Sequence, residues 1–378
     1  MASRPLIPLP EHIPALDGLR GIAILLVLAF HTELLPTLKP LARDGWAGVD
    51  LFFVLSGFLI TRILLKSRNS PRYFTNFYAR RILRIWPVYF GILLFVFASE
   101  RYRLLGDSAT SWWWISLATF TQNFYIGAYG WNALPDWLGP TWSLGIEEQF
   151  YLIWPLLVRK LSLSSLKKVC MAVIFVTPLI RAVVSYYLHQ HSDSPLILTF
   201  CRIDSLCFGT LLAIGNDAGD LTFHQWLKRL AIPALALFVI LDRFASQFMR
   251  ETLSYSLLAI FFAGTIAFSL TSSPGTLSRS AVAIFSFTPL RFVGKISYCL
   301  YLVHRAAFAL AASNTAQQIL NHFPGYNHDN SSQLLANWCF AFLLATLSWY
   351  LYESPILRLK RRFVSDLNPA ETRAASAF

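Results

Sequence analysis

Long apolar runs separated by short polar segments make up most of this 378-residue chain. A helix needs about 20 mostly apolar residues to cross a bilayer. Membrane barrels are built from short alternating strands instead, so runs of that length predict helices. The pattern therefore predicts an all-α polytopic membrane protein. Eleven runs approach the required length, near 13–35, 46–65, 84–99, 111–127, 142–158, 169–188, 196–214, 230–245, 253–271, 287–312 and 334–352.

The composition agrees with a lipid environment. Hydrophobic residues make up 55% of the chain and charged residues 14%, and the mean hydropathy is +0.50. Soluble domains carry about 25% charged residues. The net charge is +12, but the Lys and Arg residues lie in short clusters between the apolar runs. That arrangement is typical of membrane orientation, so we expect the bilayer as a partner and no nucleic acid.

Three clusters of Lys and Arg set the orientation, because such clusters favour the cytoplasmic side of a membrane. The loop 313–333 has no Lys or Arg and is expected outside. The clusters are Lys66, Arg68, Arg72, Arg80, Arg81 and Arg84; Arg159, Lys160, Lys167 and Lys168; and Arg358, Lys360, Arg361 and Arg362.

Eleven full crossings would place the first two clusters on opposite sides of the membrane. The weakest run between them is SWWWISLATFTQNFYIG, whose Ser, Thr, Gln and Asn residues suit a re-entrant or interfacial segment. We therefore expect about ten transmembrane helices (ten or eleven) with both termini cytoplasmic. The chain would divide into a cytoplasmic segment 1–12, a transmembrane domain 13–362 and a cytoplasmic tail 363–378. The expected location is the cell's inner (plasma) membrane, as a multi-pass protein.

LDGLRGIAILLVLAFH, residues 16–31, carries Asp17, Arg20 and His31 inside an apolar run. A charge at the bilayer centre costs at least about 2.5–3.5 kcal/mol, so such residues usually face a bundle interior. About three helical turns and a rise of roughly 16 Å separate Arg20 from His31, which puts both on one face with Asp17. We expect Arg20 near the cytoplasmic boundary and His31 deeper. A snorkelling Arg and a hydrogen-bonded core His would give the same pattern.

The next two runs carry a small-residue pair and an arginine pair. GVDLFFVLSGFLITRILL has Ser56 and Gly57 at its centre, which favours close helix packing. In FYARRILRIWPVYF, Arg81 and Arg84 are three residues apart and share a face at a cytoplasmic entrance. Two guanidinium forks suit a phosphate-bearing ligand, although positive-inside anchoring would also explain the pair.

Carboxylates lie in two further runs. Glu147 and Glu148 are adjacent in TWSLGIEEQFYLIWP, so on a helix they point about 100° apart. At least one is expected to enter the bundle interior and pair with a cation. Glu353, in SWYLYESPILRLKRR, comes just before Pro355 at the cytoplasmic end of the last run.

Other polar residues form a stripe and an internal pair. Ser297, Tyr301 and His304 follow one another at helical spacing in GKISYCLYLVH. Arg202 and Asp204, in CRIDSLCFG, favour an internal ion pair. The cysteines have no CxxC spacing and are expected to be small core residues, so no metal site is expected. They are Cys170, Cys201, Cys207, Cys299 and Cys339.

Taken together, these blocks resemble the membrane-bound acyltransferase-3 family, whose members O-acylate carbohydrates and some other hydroxyl compounds. Arg20 and His31 match the family's signature of a basic residue, ten residues and a histidine. The resemblance covers nearly everything from Ile13 to Arg362. The blocks, in the family's order, are LDGLRGIAILLVLAFH, GVDLFFVLSGFLIT, the RxxR of Arg81 and Arg84, WSLGIEEQFYLIWP, RIDSLCFG, ISYCLYLVH and YESP.

The resemblance implies an O-acetyltransferase-type enzyme. Acyl-CoA, most often acetyl-CoA, would be the cytoplasmic co-substrate, with no bound cofactor, and a carbohydrate, glycolipid or other hydroxyl compound would be the acceptor. Arg20, Arg81 and Arg84 would hold the donor's phosphates, and the pantetheine arm is long enough for the thioester to reach His31. His31 would act as a general base, by direct transfer or through an acyl-histidine.

The roles of the other site residues stay open at this point. Glu147, Glu148 or Glu353 would orient an imidazole or a cation, and the sequence does not choose among them. Some family members carry a fused extracytoplasmic esterase-like domain, and this sequence is expected to lack one. It could complete the transfer alone or pass the acyl group to a separate extracytoplasmic transferase. The remaining substrate-binding candidates are Asp17, Ser297, Tyr301 and His304.

A secondary transporter or acyl-group translocator is the alternative from another functional class. Such proteins use buried carboxylates as proton relays and arginines to bind anions. Inverted repeats would favour this alternative, and the sequence shows no repeat.

Overall fold

The computed structural model describes residue 10 and residues 12–32, 42–101, 111–187, 194–270, 276–322, 326–327 and 329–363. Within these ranges the chain folds into helices joined by turns and contains no β-strand. The prediction of an all-α protein is therefore confirmed. The predicted cytoplasmic segment 1–12 and tail 363–378 lie almost entirely outside the described residues.

Fourteen helices of seven residues or more are found in the described ranges. After the last of them, the chain continues through a π-helical turn, Trp349–Glu353, and a short helix, Ser354–Leu357, into a 3-10 helix, Arg358–Phe363. The helices are α1 (Pro14–Phe30), α2 (Gly48–Ser67), α3 (Tyr73–Arg101), α4 (Ser111–Ala118), α5 (Gln122–Tyr129), α6 (Thr141–Lys160), α7 (Leu163–Tyr187), α8 (Ile203–Asp217), α9 (Thr222–Phe244), α10 (Gln247–Leu270), α11 (Thr276–Phe285), α12 (Thr288–Ala311), α13 (Asn314–Leu320) and α14 (Asn330–Ser348).

Several helices are long and apolar enough to cross a bilayer. The described residues contain five of them, or six if α12 and α13, which are bent by 74°, form one broken span. α1 has 17 residues and α8 has 15, and α6 carries two Glu residues together with Arg159 and Lys160. The prediction of about ten spans therefore stays a prediction. The five are Gly45–Ser67, Tyr73–Ala98, Leu163–Tyr187, Gln247–Leu270 and Ser331–Phe363.

Large apolar side chains cover the outer surfaces of two of these spans. On α3, Leu94 and Phe95 are 69% and 68% exposed, and on α7 Phe175 and Leu179 are 68% and 66% exposed. Such surfaces suit contact with lipid tails rather than with water. The structure thus agrees with a multi-pass membrane protein.

The segment SWWWISLATFTQNFYIG is broken into α4 and α5, of eight residues each. At the break, Phe120 has a positive φ of 56°, a left-handed conformation that reverses the helical path. The amide of Gln149 donates to the Phe120 carbonyl oxygen at 2.8 Å, and the Tyr89 ring stacks on the Phe120 ring. The segment is therefore not one continuous helix, and the re-entrant or interfacial placement stays a prediction.

The three basic clusters predicted to be cytoplasmic lie at one end of the bundle. The Arg68 guanidinium donates to the Leu161 carbonyl oxygen, so the turn after α2 lies against the turn after α6. The Arg159 guanidinium lies 5.4 Å from the centroid of the Tyr73 ring, at the start of α3. The 3-10 helix Arg358–Phe363 also packs against α3. The three basic clusters therefore share one end of the bundle, as the orientation argument requires.

Glycines allow α1 and α12 to pack backbone to backbone. A Cβ atom at Gly21 would lie 2.2 Å from the Leu290 carbonyl oxygen, and one at Gly294 would lie 1.8 Å from the Asp17 carbonyl oxygen. The two helices run parallel, because their first turns meet here and their last turns meet at His31. Residues at the same distance along α1 and α12 therefore lie next to each other.

A second close crossing joins α2 and α8. A Cβ atom at Gly57 would lie 2.0 Å from the Leu206 carbonyl oxygen, and one at Gly209 would lie 1.9 Å from the Val54 carbonyl oxygen. The prediction that the small pair in α2 serves helix packing is confirmed for Gly57. Its neighbour Ser56 instead contacts a polar side chain of α6, as described below.

Two buried ion pairs form an Arg–Asp quartet between α2, α7 and α8. The Arg202 guanidinium donates to Asp50 at 2.7 Å, and the Arg181 guanidinium donates to Asp204 at 3.0 Å. All four side chains are fully buried. The predicted internal ion pairing is correct in kind but wrong in partner: Arg202 and Asp204 are two residues apart on the chain, and each turns to a different helix.

The cysteines are all free. Four are buried, as predicted for small core residues, and Cys339 is exposed. Among the described residues, no group of three or more His, Cys, Asp or Glu side chains could hold a metal ion.

Candidate active site

Four cations meet where the first turns of α1 lie near the start of α3. The charges of Arg20 and Arg81 both act on Arg84, and the charges of all three act on the Lys360 ammonium. We call Arg20, Arg81, Arg84 and Lys360 the basic cluster. Like charges repel, so the cluster raises the free energy of the folded protein unless an anion joins it.

Most cations of the cluster form no direct ion pair, and the nearby carboxylates act on Arg81 and Arg84 from a longer distance. Among the described residues, no carboxylate lies within ion-pairing distance of Arg81, Arg84 or Lys360. The Arg81 guanidinium lies instead 5.1 Å from the centroid of the Tyr151 ring, a cation–π contact that holds the side chain without neutralising it. These three cations thus remain available to an anionic ligand.

Arg20 is the one member with a carboxylate partner. Its guanidinium lies 3.6 Å from Asp17, which also accepts a 2.5 Å hydrogen bond from His12. The Arg20 side chain remains 33% exposed. Asp17 therefore orients Arg20 at the mouth of the site, and the shared face predicted for the two residues is confirmed.

Glu147 lies beside the basic cluster in a polar network inside the bundle. Its carboxylate accepts hydrogen bonds from the Ser56 hydroxyl of α2 and from the Tyr151 hydroxyl one helical turn later, both at 2.8 Å. The charges of Arg81 and Arg20 act on this carboxylate. Glu147 thus enters the bundle interior, as predicted for at least one of the two adjacent glutamates, but among the described residues it hydrogen-bonds to hydroxyl groups and does not form the predicted pair with a cation.

The other two glutamates also face arginines. Glu148 accepts a hydrogen bond from the Trp86 indole at 3.3 Å, and the Arg81 charge acts on it. Glu353 is buried at the π-helical turn, accepts from the Ser348 hydroxyl at 3.2 Å and feels the Arg84 charge. Each of these two carboxylates has one buried oxygen without a hydrogen-bond partner.

The two histidines lie at the opposite ends of α1 and α12 from the basic cluster. His31 ends α1, and His304 lies on the last turns of α12. Their ring centroids are 4.9 Å apart, and His304 Nε2 lies 3.3 Å from His31 Nδ1. Sequence reasoning gave each histidine a place in the site but did not predict that they touch.

Backbone carbonyl groups hold both imidazole rings. His31 Nδ1 lies 3.0 Å from the Val27 carbonyl oxygen, and His304 Nδ1 lies 2.7 Å from the Tyr301 carbonyl oxygen. His304 is fully buried, whereas His31 is half-buried. Of the pair, His31 is the ring that a substrate could reach.

Tyr301 and Ser297, two members of the predicted polar stripe on α12, make different contacts. The Tyr301 hydroxyl donates to the Pro140 carbonyl oxygen at 2.9 Å and lies 2.7 Å from the Ser143 hydroxyl, so it joins α12 to the start of α6. The Ser297 hydroxyl donates to the Gly294 carbonyl oxygen of its own helix at 2.8 Å. Ser297 is therefore paired within α12 in this structure.

An exposed ion pair lies beside the histidines. Arg305 pairs with Asp136, which is 83% exposed, and the charges of both residues act on His31. Thr32, next along the chain, accepts a hydrogen bond from the Trp338 indole at 3.1 Å. This end of the site thus carries charged and polar groups at its surface.

Three residues of the site were not predicted from the sequence. Lys360 stood in a basic cluster whose members looked equivalent, and only the path of the chain after α14 sets it apart. Ser56 was interpreted as a packing residue. Tyr151 could have been found, because it follows Glu147 by four residues and so shares its helix face.

The chain is similar in sequence to known O-acetyltransferases. Peptidoglycan O-acetyltransferase OatA of Listeria monocytogenes is 31% identical over 372 residues, covering 92% of this chain and 56% of that protein. "Putative peptidoglycan O-acetyltransferase YrhL" of Bacillus subtilis is 30% identical over 372 residues, covering 92% of this chain and 55% of that protein. The chain spans about half the length of these curated relatives. No solved structure matches it significantly.

The sequence profile of a family described as "Acyltransferase domain" matches residues 13–353. That range holds α1, α12 and the turn that ends at Glu353, and so all of the residues described above except Lys360 and His12. The chain belongs to this family, the membrane-bound acyltransferase-3 family.

Proposed function

We propose that this chain is an integral membrane O-acyltransferase that moves an acyl group, usually acetyl, from cytoplasmic acyl-CoA to a hydroxyl of a carbohydrate or glycoconjugate. One observation carries the proposal: parallel helices α1 and α12 separate a basic cluster, most of whose cations form no ion pair among the described residues, from a pair of touching histidines. An acyl-CoA fits such a site, because its phosphates would bind the basic cluster while its thioester lies near the histidines. Family membership favours acyl transfer over the alternative of a transporter.

The basic cluster is the proposed donor site. CoA carries several phosphates, and guanidinium groups bind phosphate through two parallel hydrogen bonds. Arg81 and Arg84 supply the forks, Lys360 adds a point charge, and Arg20 is held towards them by Asp17. Binding would relieve the repulsion among the four cations, so affinity would come from the anionic end of the donor.

The thioester end would lie near His31. The eleven residues from Arg20 to His31 correspond to a rise of about 16 Å, comparable in length to the pantetheine arm. The His31 imidazole would take the proton of the acceptor hydroxyl as that oxygen attacks the thioester carbon. A positioned general base contributes about 10²–10⁴-fold to such a reaction. An acyl-histidine intermediate is the other route to the same ester.

The three glutamates would serve the cations. The charges of Glu147 and Glu148 act on Arg81 and that of Glu353 acts on Arg84, whereas the charges that act on His31 come from Arg305 and Asp136. We infer that the glutamates keep the arginine forks in place without neutralising them by direct contact. Tyr151 would assist, since its hydroxyl donates to Glu147 and its ring faces Arg81.

The acceptor would be met beyond the membrane. One of the relatives above is named a peptidoglycan O-acetyltransferase and the other a putative one, and peptidoglycan is therefore the first acceptor to test. The orientation with both termini cytoplasmic places the basic cluster on the cytoplasmic side of the inner membrane and the histidines towards the outer leaflet. A separate extracytoplasmic transferase that finishes the reaction is the alternative to direct transfer.

The test is a transfer assay with protein reconstituted in nanodiscs. Labelled acetyl-CoA and soluble peptidoglycan fragments would be supplied, and ester formation would be measured per folded molecule. We expect His31→Ala to lower transfer by about 10²–10⁴-fold while acetyl-CoA still binds. His224→Ala, which removes a buried histidine of α9, is the matched control and should keep its specific activity.

Two results would contradict the proposal. Near-normal specific activity in His31→Ala would remove the catalytic assignment. Failure of acetyl-CoA to bind the wild-type protein would remove the donor. Acetyl-CoA binding with hydrolysis but no transfer to glycan fragments would instead indicate that a separate transferase finishes the reaction.

A further inference from the structure

His304 is the most deeply buried polar group next to His31, and it has two defined partners. Its Nδ1 atom faces the Tyr301 carbonyl oxygen at 2.7 Å, and its Nε2 atom faces His31 Nδ1 at 3.3 Å. Its side chain is fully buried. A buried imidazole with both nitrogens engaged has one orientation, which it can impose on its neighbour.

The carbonyl groups determine where the hydrogens lie. A carbonyl oxygen only accepts, so the nitrogen facing it must carry the hydrogen in each neutral ring. His304 Nδ1 therefore donates to Tyr301, and His31 Nδ1 donates to the Val27 carbonyl oxygen at 3.0 Å. His304 Nε2 is left with a lone pair, which shares the His31 Nδ1 hydrogen with the Val27 carbonyl oxygen in a three-centre hydrogen bond. His31 Nε2 is left as the basic nitrogen, and none of the described residues hydrogen-bonds to it.

We propose that His304 is a positioning residue for His31: beside the Val27 carbonyl oxygen it accepts the Nδ1 hydrogen of His31, holds the ring with Nε2 basic, and shares the proton of the imidazolium that forms during transfer. The inference rests on the proposed role of His31 as the base. It gives His304 the task that a carboxylate performs for the histidine of a hydrolase triad, with an imidazole in place of the carboxylate.

The transfer step balances with these two rings alone. The acceptor hydroxyl gives its proton to His31 Nε2, and its oxygen forms a bond with the thioester carbonyl carbon. While His31 is an imidazolium, its Nδ1 proton is shared with the lone pair of His304 Nε2. The carbon–sulfur bond then breaks and the thiolate takes the proton from His31 Nε2. The products are an ester and a thiol, and both rings are neutral again.

The surroundings suit this role. The Tyr301 hydroxyl is tied to Pro140, which fixes the turn of α12 that offers its carbonyl oxygen to His304. The charged groups that act on His31 are Arg305 and Asp136, which form an ion pair with each other. Among the described residues, no carboxylate hydrogen-bonds to either ring, so the ring of His304 is the partner to which His31 can pass its proton.

The test compares two substitutions at one position. In His304→Gln, the amide oxygen can still accept from His31 Nδ1 but cannot take a proton, whereas His304→Leu removes both abilities. We expect kcat per folded molecule to fall about 10-fold in the Gln variant and about 100-fold or more in the Leu variant. KM for acetyl-CoA should stay within about twofold, because the donor's phosphates bind at the other end of the helices.

The matched control is His224→Leu, which removes an equally buried histidine of α9 that has no hydrogen-bond partner among the residues the structure describes. A purely structural role for His304 predicts that both Leu variants lose folded yield while the remaining molecules keep their kcat, and that result would overturn the inference. Equal losses of kcat in His304→Gln and His304→Leu would also overturn it, because the hydrogen bond would then contribute nothing.

A spectroscopic measurement covers the case in which the Leu variant does not fold. In protein with ¹⁵N-labelled histidine, the His31 signal, assigned by its loss in His31→Ala, should report the tautomer protonated at Nδ1, and its Nδ1 shift should change in His304→Gln; an unchanged shift would mean that the Val27 carbonyl oxygen alone holds the hydrogen and would overturn the inference. The tautomer protonated at Nε2 would contradict the inference. The proposed function fails separately: activity in His31→Ala removes the base itself, whereas an inactive His31→Ala beside a fully active His304→Leu removes only this inference.

Discussion

Two groups of arginines lie inside this bundle, and they differ in how their charge is balanced. In the Arg–Asp quartet, each guanidinium donates to a fully buried carboxylate, as Arg202 does to Asp50 at 2.7 Å. In the basic cluster, Arg81 and Arg84 have no ion pair among the described residues, although carboxylates lie near enough for their charges to act. In the first arrangement each arginine forms an ion pair with a carboxylate, whereas in the second the carboxylates act from beyond ion-pairing distance.

The contrast separates structural charges from functional ones better than burial does. Breaking a buried pair costs about 3–5 kcal/mol because it leaves an uncompensated charge. Removing an unpaired cation from a like-charged group costs the folded protein little and should even relieve repulsion. Substitutions in the quartet are therefore expected to change stability, and substitutions in the basic cluster to change ligand affinity.

The largest effect is expected from removing both forks, in the variant Arg81→Ala with Arg84→Ala. Each lost charged contact is worth about 1.5–3 kcal/mol, so the Kd for acetyl-CoA should rise by about 10²–10⁴-fold. Calorimetry on purified protein in nanodiscs would measure it. Arg159→Ala, a basic residue at the same end whose guanidinium faces Tyr73, is the control. Unchanged affinity in the double variant would move the donor site elsewhere.

The opposite behaviour is expected for Asp50→Ala in the quartet. This change leaves the Arg202 guanidinium buried without its carboxylate, and the free energy of unfolding should fall by about 3–5 kcal/mol. Acetyl-CoA affinity per folded molecule should not change, since neither residue belongs to the basic cluster. Denaturant unfolding and calorimetry on the same sample would measure both quantities.

A double variant checks the reason for this loss. Asp50→Leu with Arg202→Met replaces the pair by apolar groups, and it should recover most of the stability lost in Asp50→Ala. Weakened donor binding in a well-folded Asp50→Ala sample would show that the two arginine groups are not separable.

A smaller effect is expected from Lys360→Ala. Its ammonium joins the basic cluster as a single point charge without a fork, so its loss should weaken acetyl-CoA binding by about 1.5 kcal/mol, roughly tenfold. The control is Arg358→Ala, an exposed cation of the same 3-10 helix. If both substitutions weakened binding equally, the general positive charge of this segment would account for the effect rather than the position of Lys360.

The helices, their polar faces and the family could be predicted from the sequence more completely than the contacts between helices. Apolar runs and helical spacing were sufficient for an all-α membrane protein and for the shared face of Asp17 and Arg20. The ordered motifs were sufficient for the family. These features depend on local periodicity, which a single chain segment contains.

Partner choice depends on tertiary packing, and there the sequence was insufficient. Arg202 and Asp204 are neighbours on the chain, yet each pairs with a residue on another helix. The contact between His31 and His304 joins residues 273 positions apart and follows from the close packing of α1 on α12. The role of Ser56 was missed for the same reason, because only the placement of α6 brings Glu147 to its hydroxyl.

The smallest effect is expected where an ion pair is open to solvent, between the start of α7 and the turn that joins α8 to α9. Lys167 donates to Asp220 at 2.9 Å, and both side chains are more than a third exposed. Hydrogen bonds from Lys167 and Thr222 lower the pKa of Asp220 to about 2. The folded pKa is below the unfolded value of about 3.9, so the pair's stabilisation is present above that value and is lost as pH falls towards 2. Solvent screening limits this stabilisation to about 0.2–1 kcal/mol.

Asp220→Asn should therefore lower the free energy of unfolding by no more than this at pH 7, and the difference from wild type should vanish near pH 2. A loss at pH 7 as large as that of Asp50→Ala would mean that burial does not distinguish the ion pairs of this protein.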